Sequence, residues 1–194
     1  MSSHSNPSPA GTMTDGWLDG VRHCPSPNYN QRPAGCEISL LVIHNISLPP
    51  EQFGGDFIEQ FFCNTLDCSQ HPYFETIKDL QVSAHGLITR DGEFIQFVNF
   101  NDRAWHAGRS SFEGRAECND YSIGIELEGA DHLPYTTEQY DTLLCVIKAL
   151  QRHYPFITGE RITGHSDIAP GRKTDPGPAF DWSFLRARLV IKQT

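Results

Sequence analysis

The sequence lacks any long hydrophobic segment. Its longest strongly apolar run, Leu40–Ile43, is far short of the ~20 residues that span a bilayer. It also lacks an excess of positive charge, since 15 Lys and Arg against 24 Asp and Glu give a net charge of −9. Nonspecific nucleic-acid binding needs a basic surface that displaces counterions from phosphates. We therefore expect a protein that binds neither membranes nor nucleic acids.

The N-terminal segment lacks the basic start and the apolar core of a secretory signal peptide. Its Ser, Pro and Gly content is typical of a linker, so we expect a flexible tail over residues 1–16. Without an export signal, we expect a cytoplasmic protein. The length of residues 17–194 suits a single domain, and 38% hydrophobic residues supply enough apolar surface for a buried core.

Cysteine is present six times, but the arrangement does not indicate a disulfide framework. A domain of this length buries a core without disulfides, and reduced thiols are the default in the cytoplasm. Cys63 and Cys68 are close in sequence, yet no second cysteine pair follows to complete a structural zinc site. We expect ordinary free thiols.

Two segments predict strands of a sheet. Ser39–His44 is a continuous aliphatic and β-branched run, which is typical of a strand buried on both faces. Ser122–Glu128 alternates, so its three aliphatic side chains share one face. Gly124, Glu126 and Glu128 share the other face. Periodicity does not distinguish the two glutamates.

The remaining pattern mixes strands with helices. The segment 90–93, with Asp-Gly at its centre, predicts a β-hairpin between the strands 84–89 and 94–98. Phenylalanine and isoleucine at helical spacing predict a short helix over 57–62. A hairpin beside buried strands indicates a single α/β domain with a mixed central sheet flanked by helices.

Two further helices are predicted in the second half of the chain. Thr136 and Gln139 form a capping box, and apolar residues at helical spacing follow until Pro155. A last amphipathic helix is predicted to begin near Asp181, and we expect it to bury Trp182 together with two leucines. Between these helices, the proline- and glycine-rich segment 164–177 is predicted to form no regular element.

Nine histidines are many for this length, and most lie in tail, loop or polar helix contexts. His44 differs because it ends an apolar strand, where α/β sheets present functional side chains. His165 and Asp175 lie ten residues apart in the stiff segment 164–177. Two imidazoles and one carboxylate match an open catalytic zinc site, in which the fourth position is left for water. A solvated Asp in a surface loop is the alternative.

The chain resembles the cytoplasmic N-acetylmuramoyl-L-alanine amidases of the anhydro-muropeptide recycling type. These zinc enzymes share their fold with phage-type amidases and peptidoglycan recognition proteins. The resemblance extends from Trp17 to about Arg188. It rests on ordered blocks of matching sequence: Cys24–Pro27, Leu41–Pro50, His71–Phe74, Val82–His85, Arg103–Gly108, Ile123–Gly129, Gly164–Gly177 and Phe180–Trp182.

The resemblance implies a role for each of five residues. It places the family's zinc ligands at His44, His165 and Asp175, with one Zn²⁺ per chain. It places the acid/base carboxylate at Glu126 and a basic residue that stabilises the transition state at Lys173. The implied reaction hydrolyses the amide between the lactyl group of 1,6-anhydro-N-acetylmuramic acid and L-alanine. We expect a monomer that acts on muropeptides.

Two other functions remain open at this point. Paired carboxylates on one strand face are also used by glycosidases. Some relatives of this fold lack a complete ligand set and only bind peptidoglycan fragments, so a sensing module without turnover is the second alternative. For substrate capture we expect local groups, namely Arg103, Arg109, Arg115 and the zinc itself, while Trp105 and His106 are candidates for a sugar-binding wall.

Overall fold

Strands and helices alternate along residues 11–190, which the computed structural model describes, with side chains through residue 189. The strands are β1 Met13–Thr14, β2 Trp17–Leu18, β3 Arg22–His23, β4 Tyr29–Asn30, β5 Leu40–Ile46, β6 Gly86–Ile88, β7 Phe94–Gln96, β8 Arg103–Ala104, β9 Ser111–Phe112, β10 Arg115–Ala116, β11 Ser122–Glu128 and β12 Ile162–Gly164. The helices are α1 Phe57–Phe62, α2 Pro72–Glu75, α3 Thr137–His153, α4 His165–Ile168 and α5 Trp182–Val190. Short 3₁₀ turns cover Cys68–Gln70, Cys118–Asp120 and Gly159–Arg161.

Six strands form the central sheet in the order β12-β5-β11-β6-β7-β3. The pairs from β12 to β6 are parallel, β6 and β7 are antiparallel, and β3 is parallel to β7. The domain is therefore α/β with a mixed sheet, as the sequence predicts. Strand β5 pairs with β11 so that His44 lies opposite Glu126. Side chains of paired residues point to the same face, so this register brings an imidazole and a carboxylate together.

The two faces of the sheet differ in what covers them. One face packs against the long helix α3 and against α5 in a core that includes Leu41, Ile43 and Ile125. The opposite face carries His44 and Glu126. Beside them lie two apolar clusters, one under α1 and α2 and one around Val42. The polar site thus lies on a sheet face with apolar packing on both sides.

Most predicted elements are confirmed. Strands β5 and β11, the hairpin β6–β7 and helix α1 fall within two residues of their predicted bounds. The capping box at α3 has both reciprocal hydrogen bonds between Thr136 and Gln139. Leu185 in α5 is fully buried, whereas Trp182 and Leu189 are only partly buried.

Two segments differ from the prediction or extend it. The prediction that segment 164–177 forms no regular element is wrong at its start, which forms the one-turn helix α4. The prolines of this segment follow the helix and therefore do not interrupt it. In the segment assigned to the tail, Met13–Thr14 pairs with Trp17–Leu18. Residues 1–10 of that assignment lie outside the described residues. No helix within residues 11–190 is long and apolar enough to cross a membrane.

All six cysteines lie within the described part of the chain and are free thiols. The Sγ atoms of Cys24 and Cys63 are 3.6 Å apart. Burial and the neighbouring Cys63 raise the pKa of the Cys24 thiol to about 12, which keeps it protonated and weakly nucleophilic.

Reductant should therefore leave the thermal unfolding midpoint nearly unchanged. A native disulfide typically contributes ~2–4 kcal/mol, and its loss would be visible by calorimetry with and without reductant. A large drop in the midpoint on reduction would show that a bridge contributes to the stability of the purified protein.

Candidate metal centre and pocket

Three side chains converge at the carboxyl ends of β5 and β12. His44 is on β5, His165 begins α4 directly after β12, and Asp175 lies near the end of the following loop. The Nδ1 atoms of the two imidazoles are 2.9 Å apart, and Oδ2 of Asp175 is 3.1 Å from one and 3.0 Å from the other. The three atoms form a nearly equilateral triangle. The fold thus brings His165 into contact with His44, 121 residues away in sequence, and with Asp175, 10 residues away.

The loop that carries Asp175 is held from several sides. The backbone carbonyl of Asp175 accepts a hydrogen bond from the Ser166 amide at the start of α4. The carbonyl of Pro176 accepts from Asn45 on β5 and from the Tyr135 hydroxyl. A ligand held in this way loses little conformational entropy when it binds an ion.

The protonation of the three groups suits a metal ion. Burial is the main cause that lowers the pKa of His44 to about 4, so its imidazole is neutral at pH 7. The carboxylate of Asp175 is ionised at pH 7, since even an ordinary aspartate has a pKa of ~4, and its Oδ2 atom faces both imidazoles. Nε2 of His165 lies 3.0 Å from the carbonyl of Ala107, which can only accept, so Nε2 carries the hydrogen and Nδ1 offers a lone pair. These residues could bind a metal ion.

Glu126 lies beside this triad and has an unusual environment. It is partly buried, and its Oε2 atom is buried without a hydrogen-bond partner in the described structure. Burial, and then the charge of Asp175, raise its pKa well above the ordinary value for a glutamate, while Lys173 opposes the shift. A carboxylate with a raised pKa is suited to accept and return a proton near neutral pH.

An open pocket of about 360 Å³ contains these groups. Its polar lining includes the triad, Glu126 and Lys173. Its apolar and aromatic lining includes side chains from α1 and from the segment after it: Phe61, Tyr73, Ile77, Leu80 and Val82. A lining of both kinds suits an amphipathic ligand larger than a single amide.

The structure brings together the five predicted site residues but not the predicted arginines. All five line the pocket. Arg103 instead binds Asp120 with Nε to Oδ1 at 2.6 Å, and Arg115 lies over the Tyr121 ring. Neither they nor Arg109 lines the pocket; among the described residues that do, Lys173 is the only lysine or arginine. The pocket lining therefore does not support capture through these three arginines, which stays a prediction.

The pocket also contains Trp105 and His106, the two residues considered for a sugar-binding wall. The Trp105 indole N–H donates to Oδ1 of Asn30 at 2.7 Å. His106 has a contact that the sequence did not indicate, because its Nδ1 lies 2.9 Å from Nε2 of His44. Burial is the main cause that lowers the pKa of His106 well below that of a free imidazole. The one available signal was Gly124, a glycine inside a buried strand, which marks a close approach by another group.

The two glutamates on β11 have different surroundings. Glu128 is buried and does not line the pocket with Glu126. Its carboxylate accepts the backbone N–H groups of Gly54 and Arg90, and so it ties two loops to the sheet. Within residues 11–190, by contrast, the buried Oε2 atom of Glu126 has no hydrogen-bond partner.

Glu128→Gln should therefore weaken the fold rather than the chemistry. A glutamine amide can accept only one of the two N–H groups and turns its own donors towards the other. We expect a loss of about 1–3 kcal/mol in the free energy of unfolding, measured by urea titration, with kcat of the folded fraction close to wild type. A fall in kcat without loss of stability would contradict this assignment.

By its fold and its site, this is a mixed-sheet α/β protein with a candidate metal centre in an open pocket. The family model for N-acetylmuramoyl-L-alanine amidase matches residues 31–178. The chain belongs to this family, and it is an amide hydrolase.

Individual relatives agree with the family assignment. The chain is 56% identical to the 1,6-anhydro-N-acetylmuramyl-L-alanine amidase AmpD of Escherichia coli K12, covering 94% of this chain and 98% of that protein. A crystal structure of a selenomethionine AmpD derivative superposes with a TM-score of 0.88 at 56% identity and covers 91% of this chain and 98% of that one. The E. coli amidase AmiD, solved with anhydro-N-acetylmuramic acid-L-Ala-D-γ-Glu-L-Lys, is 30% identical with a TM-score of 0.57; 81% of this chain and 60% of that one are covered.

Proposed function

We propose that this amidase is a zinc enzyme of cytoplasmic peptidoglycan recycling. In this proposal it hydrolyses the amide between the lactyl group of 1,6-anhydro-N-acetylmuramic acid and L-alanine. The observation that carries the proposal is the triangle of two Nδ1 atoms and one Oδ2 atom beside an unpartnered glutamate in an open pocket. The AmpD relative and the AmiD complex support the substrate.

Zinc is the metal that this donor set favours. Two imidazole nitrogens and one carboxylate oxygen are a usual catalytic zinc set, and three protein ligands leave a position open. In this proposal His44, His165 and Asp175 hold one Zn²⁺ per monomeric chain. A bound zinc ion supplies a Lewis acid that polarises a carbonyl and lowers the pKa of water towards ~7.

Glu126 is assigned the proton transfers. As a carboxylate it accepts a proton from the attacking water, and as a carboxylic acid it returns the proton to the alanine nitrogen. An amine leaves poorly without that proton. The raised pKa of Glu126 supports both halves of this role, because the protonated form is then accessible near neutral pH.

Lys173 is assigned to stabilise the negative charge that develops on the carbonyl oxygen. It lines the pocket with Asp175 and Glu126, and the charge of its ammonium group opposes the rise in the pKa of Glu126, which supports this role. A fixed cation near the developing oxyanion lowers the transition-state energy without reorganisation.

Lys173→Met should reduce kcat by roughly 10²–10³-fold, the range for loss of one oxyanion partner. Because the lysine is not proposed to touch the metal, zinc stoichiometry and the thermal midpoint should stay near wild type. Steady-state kinetics and elemental analysis of the same preparation give the answer, with the distant Lys148→Met as the matched control. A wild-type kcat in Lys173→Met would remove this residue from the mechanism.

Two alternatives are less well supported. A glycosidase needs two carboxylates at the scissile bond, but Glu128 is occupied by two backbone amides outside the pocket. A sensing module without turnover does not account for the partly buried carboxylate of Glu126. Its desolvation is costly, and its Oε2 atom has no hydrogen-bond partner among the described residues.

The direct test is incubation of purified protein with a 1,6-anhydro-muropeptide, with mass spectrometry of the products. We expect release of the intact stem peptide, loss of release after chelation, and recovery on addition of zinc. A muropeptide with a reducing muramic acid tests the sugar preference in parallel. Cleavage of a glycosidic bond, or binding without release by the zinc-loaded protein, would contradict the proposal.

A further inference from the structure

A chain of hydrogen bonds leads from the candidate metal centre into the protein. Nε2 of His44 lies 2.9 Å from Nδ1 of His106, and Nε2 of His106 lies 3.0 Å from Oγ of Ser122. Oγ of Ser122 in turn lies 2.6 Å from the carbonyl oxygen of Cys118. These hydrogen bonds start from Nε2 of His44, the ring nitrogen that does not face His165 and Asp175.

The direction of each hydrogen bond follows from the last acceptor in the series, the carbonyl oxygen of Cys118. A carbonyl oxygen can only accept, so the Ser122 hydroxyl donates to Cys118 and its oxygen accepts the N–H on Nε2 of His106. Nδ1 of a neutral His106 then has no hydrogen and accepts from Nε2 of His44. Nδ1 of His44 is consequently left with a lone pair, on the side of the ring that faces His165 and Asp175.

The neighbouring residue performs the same task for the second imidazole. The carbonyl of Ala107 accepts from Nε2 of His165 at 3.0 Å and also from Arg172 at 2.7 Å. Both backbone amides of the 106–107 segment donate to the single Oδ1 atom of Asn119, which fixes their position.

The sheet makes room for the His106 ring at one position. A Cβ atom built on Gly124 would lie 2.4 Å from Cγ and Nδ1 of His106. Glycine in a strand interior weakens the strand, so this residue is explained by the ring that occupies the space. The backbone of β11 thus carries Glu126 into the pocket and, two residues earlier, leaves room for His106.

We infer that His106 is a positioning residue that holds His44 in the tautomer with a free Nδ1, while Ala107 does the same for His165. In this inference, which rests on the proposed zinc site, the segment 106–107 sets both imidazoles for metal binding before the ion arrives. His106 thereby acts on the metal site through His44.

The test measures zinc affinity and imidazole tautomers separately. His106→Leu removes the acceptor and should weaken zinc binding by roughly 10–100-fold, the usual effect of losing such an outer partner. His106→Asn places an amide oxygen near the position of Nδ1 and should recover part of the affinity. Gly124→Ala keeps every hydrogen-bonding side chain but displaces the ring, so it should weaken binding too. His153→Leu, the same change at an exposed site, is the control.

Zinc dissociation constants come from competition with a chromophoric chelator, and circular dichroism checks the fold of each variant. Nitrogen-15 NMR of the metal-free protein reports the tautomer directly. We expect a single His44 tautomer, protonated on Nε2, in the wild type and a mixture of tautomers in His106→Leu. If His106→Leu does not fold, Gly124→Ala is compared with His106→Asn. Weaker zinc binding in Gly124→Ala than in His106→Asn supports the inference, and equal zinc affinities overturn it.

Wild-type zinc affinity in His106→Leu, or an unchanged His44 tautomer, would overturn the inference. Equal losses in His106→Asn and His106→Leu would also overturn it, because they would indicate packing alone. Failure of the proposed function has a different signature: the wild type itself would bind no zinc, or His44→Ala would bind as much as the wild type.

Discussion

His165→Ala should lose stoichiometric zinc and amidase activity together. The side chain supplies one of three ligand atoms, and its neighbours cannot replace it because His44 and Asp175 are each fixed by their own contacts. Removal of one of three ligands should leave residual activity near the background, a larger effect than any other single change considered. Elemental analysis and product release measured on one preparation test the prediction.

The matched control is His153→Ala, which removes an exposed imidazole on α3. It should retain one zinc per chain and full activity. Full zinc occupancy in His165→Ala would exclude this residue from the ligand set. Retained activity at substoichiometric zinc would exclude the metal from the reaction.

Glu126→Gln should reduce kcat by ~10²–10⁴-fold while zinc binding persists, because the amide cannot take a proton from water. In the wild type, activity should fall as the pH drops through the raised pKa of Glu126, above the range of an ordinary glutamate. Steady-state rates across pH, with zinc content checked at each point, separate this effect from loss of metal. If Glu128→Gln lost more kcat than Glu126→Gln, the base would be misassigned.

Glu126→Gln should also stabilise the metal-free protein. The folded-state pKa of Glu126 is raised above that of the unfolded chain, so the folded state binds the proton more tightly. Stability therefore falls as pH rises from the unfolded pKa to the folded pKa, and the cost is fully present above both. A neutral glutamine removes this cost, and the thermal midpoint at neutral pH should rise, by about 2–4 °C per kcal/mol for a chain of this size. An unchanged midpoint would show that Glu126 is solvated.

Much of the fold could be predicted because its main elements have strong periodicity. The alternation in β11 and the apolar run in β5 give strand type and burial, and the capping box fixes the start of α3. The two-residue strands β3, β4 and β8 have no periodic signal, because each depends on distant partners rather than on local preference. The one-turn helix α4 is too short to have a sequence pattern of its own.

The site could be predicted only in part from the residues themselves. His44 and Glu126 are one pair in the register of two parallel strands, which no local pattern reveals. The choice of Glu126 over Glu128 needed either the family resemblance or the hydrogen bonds that occupy Glu128. The link from His44 to His106 spans 62 residues and depends on the room left by Gly124. Such contacts are set by tertiary packing.

A zinc-edge anomalous difference map of zinc-loaded crystals shows directly whether these three residues bind zinc. We expect one strong peak per chain, bonded to Nδ1 of His44, Nδ1 of His165 and Oδ2 of Asp175. Distances of ~2.0–2.2 Å from the peak to each atom are expected for these ligands. Glu126 and Lys173 should lie near the peak without bonding to it. A map with no peak at this triangle, or with the ion bound through other side chains, would contradict the assignment of the zinc site.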